Sequence, residues 1–285
     1  MKIGILIDSS AIIDANNFEG TNIEVIPLHI TSADGIDILD TPANVKKINF
    51  WELIKNGKQF KTSQASPGEL EVKYNEMLKK YDHVIHIPIT GNLSSMLSTA
   101  MVVARSDEFK NTVTVIENKT IAGQAIREMA LYLNGQIQNE KLKTPEEVVK
   151  EYDYHLDNVY ISILPSDLRS LASGGRAKTV ISSVLNILKT KVLIRWQEKP
   201  EKQAIGRSIH SIMNKVIETV QNEFKGRNPR VIFLCSQLAS QKYIDAVNEA
   251  FNQAKIKFTT EPISALYPIH AGIETLGFVI TDLKY

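Results

Sequence analysis

The 285-residue chain has one cysteine, two tryptophans and only 7% aromatic residues, and its charges nearly cancel: 33 Lys+Arg against 32 Asp+Glu, a formal charge of +1. A single thiol excludes an intrachain disulfide, so stability must come from packing, and 285 residues suffice to bury roughly three quarters of the unfolded surface. Cys235 ends the apolar run Val231-Ile232-Phe233-Leu234 and reads as a packed strand thiol in a reducing compartment. The charge balance removes any global attraction to nucleic acid or anionic lipid, so either partner would need a local patch. No stretch of about twenty apolar residues is present for a membrane span. The apolar start Met1 to Ile7 is too short for a signal peptide and is broken by Asp8, so a cytoplasmic location is expected. There is no Gly-rich loop ending in Gly-Lys-Ser/Thr, no dinucleotide glycine fingerprint, no His-Glu-x-x-His and no cysteine pair. Nucleotide hydrolase, dehydrogenase and zinc-enzyme readings thereby lose their support.

What is present is an alternation of short apolar runs with longer amphipathic ones, the pattern of helices covering a mostly parallel sheet. Strands are expected at 3–7, 24–28, 83–88, 112–116, 158–164, 191–195, 230–235 and 276–282. Helices are expected near 49–57, 67–81, 95–107, 121–139, 145–155, 179–189, 207–225 and 240–254. Ser66-Pro67-Gly68-Glu69 and Thr144-Pro145-Glu146-Glu147 each combine a hydroxyl at the N-cap, Pro at the first helical position and Glu at the third. The charged helix 145–155 divides the chain into an N-terminal α/β domain, 1–156, and a C-terminal α/β domain, 157–285. No Pro/Gly/Ser linker marks the division, and a discontinuous one stays open.

Chemistry is expected at the strand ends. Asp8-Ser9-Ser10 follows the first strand, Thr62-Ser63-Gln64-Ala65-Ser66 precedes a helix, and Ser94, Ser95, Ser98 and Thr99 open the helix after Ile85 to Ile89. In open α/β sheets ligands gather at the carboxyl ends of strands, where hydroxyls and unpaired helix N–H groups suit a carboxylate or phosphate. Such hydroxyls also serve as ordinary helix caps, and both roles stay open. Ser94 lies in Gly-Asn-Leu-Ser-Ser, which lacks the Gly-x-Ser-x-Gly spacing of a hydrolase elbow. The six histidines are scattered; His83 and His86, at odd spacing on one strand, point to opposite faces, which is poor geometry for a shared metal. After Gly174-Gly175, Arg176 and Lys178 stand at a helix start against the dipole, which points Arg176 toward an anion or a partner as the alternative to solvated charge after a glycine cap. His270, in a weakly polar stretch, is either a hydrogen-bonded structural residue or a ligand contact.

Taken in order, these segments resemble the DegV family of bacterial fatty-acid-binding proteins. Ile7-Asp8-Ser9-Ser10-Ala11 is similar to its N-terminal Asp-Ser-Ser/Cys motif, Val25-Ile26-Pro27-Leu28 to its second strand, and Thr62 to Glu69 to its Thr-Ser-Gln-Pro-Ser-Pro-Gly segment. Ser94 to Ser98 matches the Ser-Ser-x-Leu-Ser loop, Asp167-Leu168 with Gly174-Gly175-Arg176 the Gly-Gly-Arg segment, and His270 with Gly272 and Gly277 the C-terminal His loop. The chain departs from the pattern at Ala65 for Pro, Thr99-Ala100 for Gly-Thr and Ile273-Glu274 for Pro-Gly.

The resemblance implies a two-domain DegV-like (EDD) fold, α/β throughout, holding one long-chain fatty acid between its domains. It implies that Thr62, Ser63, Ser94, Ser95 and His270 hold the carboxylate, with no cofactor, no metal and no catalytic residue in this chain. A separate fatty-acid kinase would phosphorylate the bound carboxylate to an acyl phosphate for phospholipid synthesis, with Arg176 and Arg207 facing the kinase or the phosphate. Transient membrane contact without a span fits such a carrier. Two other readings are an enzyme acting on a small acyl or phosphorylated substrate at the same site, and an interaction protein that kept the fold without the ligand.

Overall fold

A computed structural model describes residues 1–11, 18–173 and 190–285. Strand β1 (Ile3–Asp8) is flanked by β2 (Ile23–Ile26) and β6 (His83–Ile87), with β7 (Val113–Val115) beyond β6, in a four-stranded sheet of order β2-β1-β6-β7. All three pairings are parallel, with Ile7 opposite Ile87 and Val25. Every residue of β1 and of β6 is buried, the expected result when helices cover both faces of a parallel sheet. Those helices include α3 (Pro67–Leu78), α4 (Met96–Ala104), α5 (Gln124–Gln138) and α6 (Pro145–His155). Both expected capping boxes are present: Ser66 and Glu69 satisfy each other's backbone N–H at α3, as do Thr144 and Glu147 at α6.

Pro27 has no N–H to extend the ladder, and the chain turns after β2 into a small sheet of order β4-β3-β5, built from β3 (His29–Ser32), β4 (Asp37–Leu39) and β5 (Phe60–Ser63). Two short helices, α1 (Pro42–Lys47) and α2 (Phe50–Lys55), precede β5, where one helix over 49–57 was expected. Phe50 packs against Trp51 and Phe60 with ring centroids 5.1 and 5.0 Å apart.

The remaining sheet has six strands in the order β10-β9-β8-β13-β11-β12, where β8 is Val159–Leu164, β9 Lys191–Arg195, β10 Glu201–Gly206, β11 Arg230–Cys235, β12 Thr259–Pro262 and β13 Leu276–Thr281. Its pairings are antiparallel except β11 with β12. Among the described residues, helices α7 (Leu168–Ser173), α8 (Ile209–Asn222), α9 (Gln241–Gln253) and α10 (Leu266–Ala271) accompany it. Its core centres on Phe233 and Phe278, whose rings stack 5.6 Å apart across β11 and β13. Cys235, at the end of β11, is half-buried, and burial pushes its thiol pKa up, which makes it a poor nucleophile. The helix expected at 179–189 lies outside the described residues, as do Gly174, Gly175, Arg176 and Lys178.

The chain clusters into two units that are discontinuous in sequence. The first comprises Met1–Asn44, Thr62–Asp157 and Leu283–Tyr285, the second Val45–Lys61 and Asn158–Asp282. The C-terminal Leu283–Tyr285 belongs with the first, where the Tyr285 hydroxyl donates to the fully buried Glu128 carboxylate at 2.9 Å. The second half of the chain therefore does not stand as one uninterrupted block. Among the described residues, no helix is long and apolar enough to cross a membrane.

Candidate functional site

The first sheet reverses its strand order between β1 and β6, and the crevice at such a switch point is where open α/β sheets bind ligands. Asp8 ends β1 there, fully buried. Its carboxylate accepts the Ile89 N–H at 2.6 Å and the Ser10 N–H at 3.0 Å, joining the ends of the two strands. Burial raises its pKa above the ordinary 3.8, opposed by hydrogen bonds from Ser10 and Ile89. The Ser9 hydroxyl accepts the Leu28 N–H at 3.0 Å, which ties the same loop to the segment after β2.

Beyond β6 the backbone is shaped by Asn118, a fully buried residue that follows β7. Its amide donates to the carbonyls of Pro88 and Ile121, both at 2.8 Å, and its oxygen accepts the Thr120 and Ile121 N–H groups at 3.1 and 3.0 Å. Thr90 then turns the chain, its carbonyl accepting from the Leu93 and Ser94 N–H groups. Ser94, half-buried, uses its hydroxyl to accept the Met96 N–H at 3.1 Å, and the Ser98 hydroxyl donates to the Ser95 carbonyl at 2.8 Å. Capping is thus part of what these hydroxyls do. Ser95 is exposed at the N-cap of α4 and makes no side-chain cap bond.

Thr62, half-buried, and Ser63, exposed, end β5. The next residue, Gln64, donates from its side-chain amide to the Thr99 hydroxyl on α4. The two hydroxyl-rich segments, which follow strands of different sheets, are therefore linked, although 35 residues separate Gln64 from Thr99. Thr99 is one of the positions at which the sequence departs from the family pattern, and its hydroxyl makes this bond.

His270 and Arg207 belong to the second unit. Arg207 is exposed in the turn between β10 and α8. His270 is half-buried on α10, next to a loop fastened to the segment after β8. Asp167 N–H donates to the Ala271 carbonyl at 2.8 Å, Glu274 N–H donates to the Ser166 hydroxyl at 3.1 Å, and the Thr275 hydroxyl donates to the Ala271 and Gly272 carbonyls at 2.7 Å. Asp167 also caps α7, accepting the Arg169 and Ser170 N–H groups at 2.9 and 3.1 Å and the Ser170 hydroxyl at 2.7 Å. Burial acts to raise the Asp167 pKa, but these bonds outweigh it and hold the carboxyl below the ordinary range.

Two other histidines, His83 and His86, have local tasks. Burial pushes His86 down to about 3, so its ring is neutral where it meets the Tyr74 hydroxyl at 2.8 Å, while His83 meets the Thr114 hydroxyl at 2.9 Å. Among the described residues, no three His, Cys, Asp or Glu side chains converge as metal ligands. Of the residues that shape the first site, Gln64 and Thr99 are legible from sequence only as members of the hydroxyl-rich segments, and Asn118 is not legible as a site residue. The available signal for Asn118 is an Asn two residues past a short strand-like run, a common Asx-turn position.

Fold and loops together define a class: two-unit α/β proteins with a hydroxyl-rich switch point in a parallel sheet and a second, mostly antiparallel sheet. A family model described as "uncharacterised protein, DegV family" matches residues 2–282, and the chain belongs to that family. It is 26% identical over 290 residues to a DegV domain-containing protein of Mycoplasmopsis pulmonis, covering 99% of this chain and 96% of that one. A DegV domain-containing protein of Staphylococcus aureus is 26% identical over 286 residues, with 97% of each chain covered. Among solved structures, the fold is similar to a DegV lipid-binding protein of Thermotoga maritima (TM-score 0.82, 24% identity, 100% and 99% covered). It is also similar to a fatty-acid-binding DegV family protein of Thermus thermophilus (TM-score 0.83, 22% identity, 99% and 100% covered).

Proposed function

We propose that this chain binds one long-chain fatty acid and holds its carboxylate with the hydroxyls and N–H groups around Thr62, Ser63, Ser94 and Ser95; a ligand role for His270 is assigned by resemblance alone. The observation that carries the reading is the Gln64 to Thr99 hydrogen bond, which links the two segments that would share the carboxylate. The description of family relatives as fatty-acid-binding proteins supports the ligand class. Affinity would come from the acyl chain: about fifteen methylenes at ~0.8 kcal/mol each amount to roughly 12 kcal/mol before ordering and association losses. The carboxylate would supply orientation, because a buried charge without donors is costly. Neutral donors leave a carboxylate oxygen more nucleophilic than an Arg salt bridge would. The chain itself then needs no catalytic step: it is a cytoplasmic carrier that presents the carboxylate to a separate fatty-acid kinase, which forms the acyl phosphate used in phospholipid synthesis. Arg207 faces that kinase or its phosphate in this reading, and Arg176 is assigned the same role by resemblance alone.

Native mass spectrometry of protein purified without added lipid should show the extra mass of one long-chain acid. Thr62→Val combined with Ser94→Ala should weaken palmitate binding roughly 30-fold, about 1 kcal/mol for each lost bond after water takes its place. Apo protein that ignores added palmitate and oleate would sink the ligand class. Unchanged affinity in the double variant would sink the site.

A further inference from the structure

His29 on β3 lies between two carboxylates. Its Nδ1 is 2.9 Å from Asp37 Oδ1 on β4, and its Nε2 is 3.0 Å from Glu69 Oε1 on α3. A neutral imidazole carries one N–H and one lone pair, so it can donate to only one of two acceptors; the imidazolium donates to both. The geometry therefore selects the doubly protonated ring. Glu69 is also the residue that closes the α3 capping box: its Oε2 accepts the N–H and the hydroxyl of Ser66, both at 2.7 Å. Ser66 ends the segment that begins at Thr62. Next to His29, the Leu28 N–H is held by Ser9 of the Asp8 loop. One side chain is thus joined through Glu69 to the hydroxyl-rich segment after β5 and through its chain neighbour to the loop after β1.

We propose that the His29 imidazolium is a pH-sensitive latch that positions the Thr62 to Ser66 segment for its ligand. His29 is a positioning residue, acting through Glu69 and Ser66. Among the described residues, the charged groups that act on it are Asp37 and Glu69. Burial works against the charged ring, but the hydrogen bonds and charges of these two carboxylates outweigh it and raise its pKa above the ordinary 6.5. Glu69 moves the other way: burial raises its pKa, but the bonds from Ser66 and the pairing with His29 bring it below the ordinary 4.5. The His29 contribution is complete below 6.5 and is lost as pH rises through its raised folded pKa. The Glu69 contribution is complete above 4.5 and is lost as pH falls through its lowered folded pKa. The latch is whole between the two folded values. With Asp37 64% and Glu69 41% exposed at the side chain, solvent screens both pairs and keeps the effect small.

The test is amide exchange at Ser66 and its neighbours, expressed as protection, with palmitate affinity in parallel, from about pH 6 to about pH 9 to bracket the imidazole range. Only the palmitate arm rests on the fatty-acid reading. Protection at Ser66 should fall about threefold to fivefold as pH rises through the His29 folded value, the span of an exposed ion pair. Palmitate affinity should follow the same curve. His29→Asn should flatten both. Asp37→Asn, which leaves a neutral ring free to donate to Glu69, should retain protection at Ser66 and reduce the slope. Flat protection in the unaltered protein, or an equal slope in either variant, would overturn the latch. A slope in exchange beside a pH-independent palmitate affinity would overturn the positioning role. A slope with no palmitate bound at any pH would support the latch and remove the fatty-acid reading.

Discussion

Gly272→Ala is expected to lower the unfolding free energy by about 3 kcal/mol, the sum of backbone strain and a displaced hydrogen bond. Gly272 has φ 94° and ψ 155°, a region that residues with a Cβ avoid at a cost of about 1–3 kcal/mol. The added methyl would also lie 2.3 Å from Ser166 Oγ and 2.7 Å from the backbone N of Asp167. A hydroxyl can rotate away; a backbone nitrogen can yield only by moving the strand exit after β8. That movement would lengthen the bond from Asp167 N–H to the Ala271 carbonyl and the bond from Glu274 N–H to Ser166. Urea unfolding, followed by the emission of the buried Trp196 in the same unit, would measure the loss. A loss under about 1 kcal/mol would mean that the loop relaxes cheaply and that this glycine is not conformationally required. The departures at Ile273 and Glu274 fit this picture. Thr275 fastens the loop with its own hydroxyl, and the Glu274 N–H, which a Gly at that position would also carry, bonds to Ser166, so the turn keeps its anchorage with different residues.

The parts of this architecture that sequence discloses are those whose physical cause is local. Ile3 to Ile7 and His83 to Ile87 are uninterrupted buried runs, and only a strand covered on both faces needs one. Ser66 and Thr144 announce their helices because a capping box needs four adjacent residues and nothing else. What escapes such a reading depends on partners far along the chain. Strands β10 and β12 are edges, with one neighbour each and mostly exposed or half-buried side chains, so no apolar alternation marks them. Helix α1 buries no residue and so shows no helical stripe. Strands β3 and β4 are three or four residues long and are held by each other. The site divides in the same way. Its hydroxyls could be found from their density at strand ends, but the bonds that arrange them span 81 residues from Asp8 to Ile89, 40 from His29 to Glu69 and 35 from Gln64 to Thr99. Pattern identifies the donors; the order β2-β1-β6-β7 places Asp8 beside Ile89, and bonds across from the small β4-β3-β5 sheet place His29 and Gln64.

Asp8 is where that sheet order has its largest expected energetic consequence. Removing its carboxylate by Asp8→Ala leaves the Ile89 and Ser10 N–H groups without their acceptor in a fully buried position, at about 1–3 kcal/mol each. Part of this is offset, because the variant no longer keeps a charge away from water. A net loss of about 3 kcal/mol near neutral pH follows. The pH dependence gives the sharper check. Burial raises the folded pKa of Asp8 above 3.8, so between these values the native state binds more protons than the unfolded chain. Its contribution is complete below 3.8 and declines as pH rises through the folded value. The difference between the unaltered protein and Asp8→Ala should therefore widen as the pH is lowered from neutral into that window, the opposite of what a salt-bridged carboxylate produces. Urea midpoints of both proteins at a series of pH values would measure it. A difference that narrows on acidification would show that the hydrogen bonds to Ile89 and Ser10 outweigh burial, and that Asp8 is a stabilised anion instead of a desolvated one. Either way, Asp8→Ala frees the ends of β1 and β6 where the strand order reverses. Palmitate affinity should fall with it, even though Asp8 is not among the groups proposed to touch the ligand.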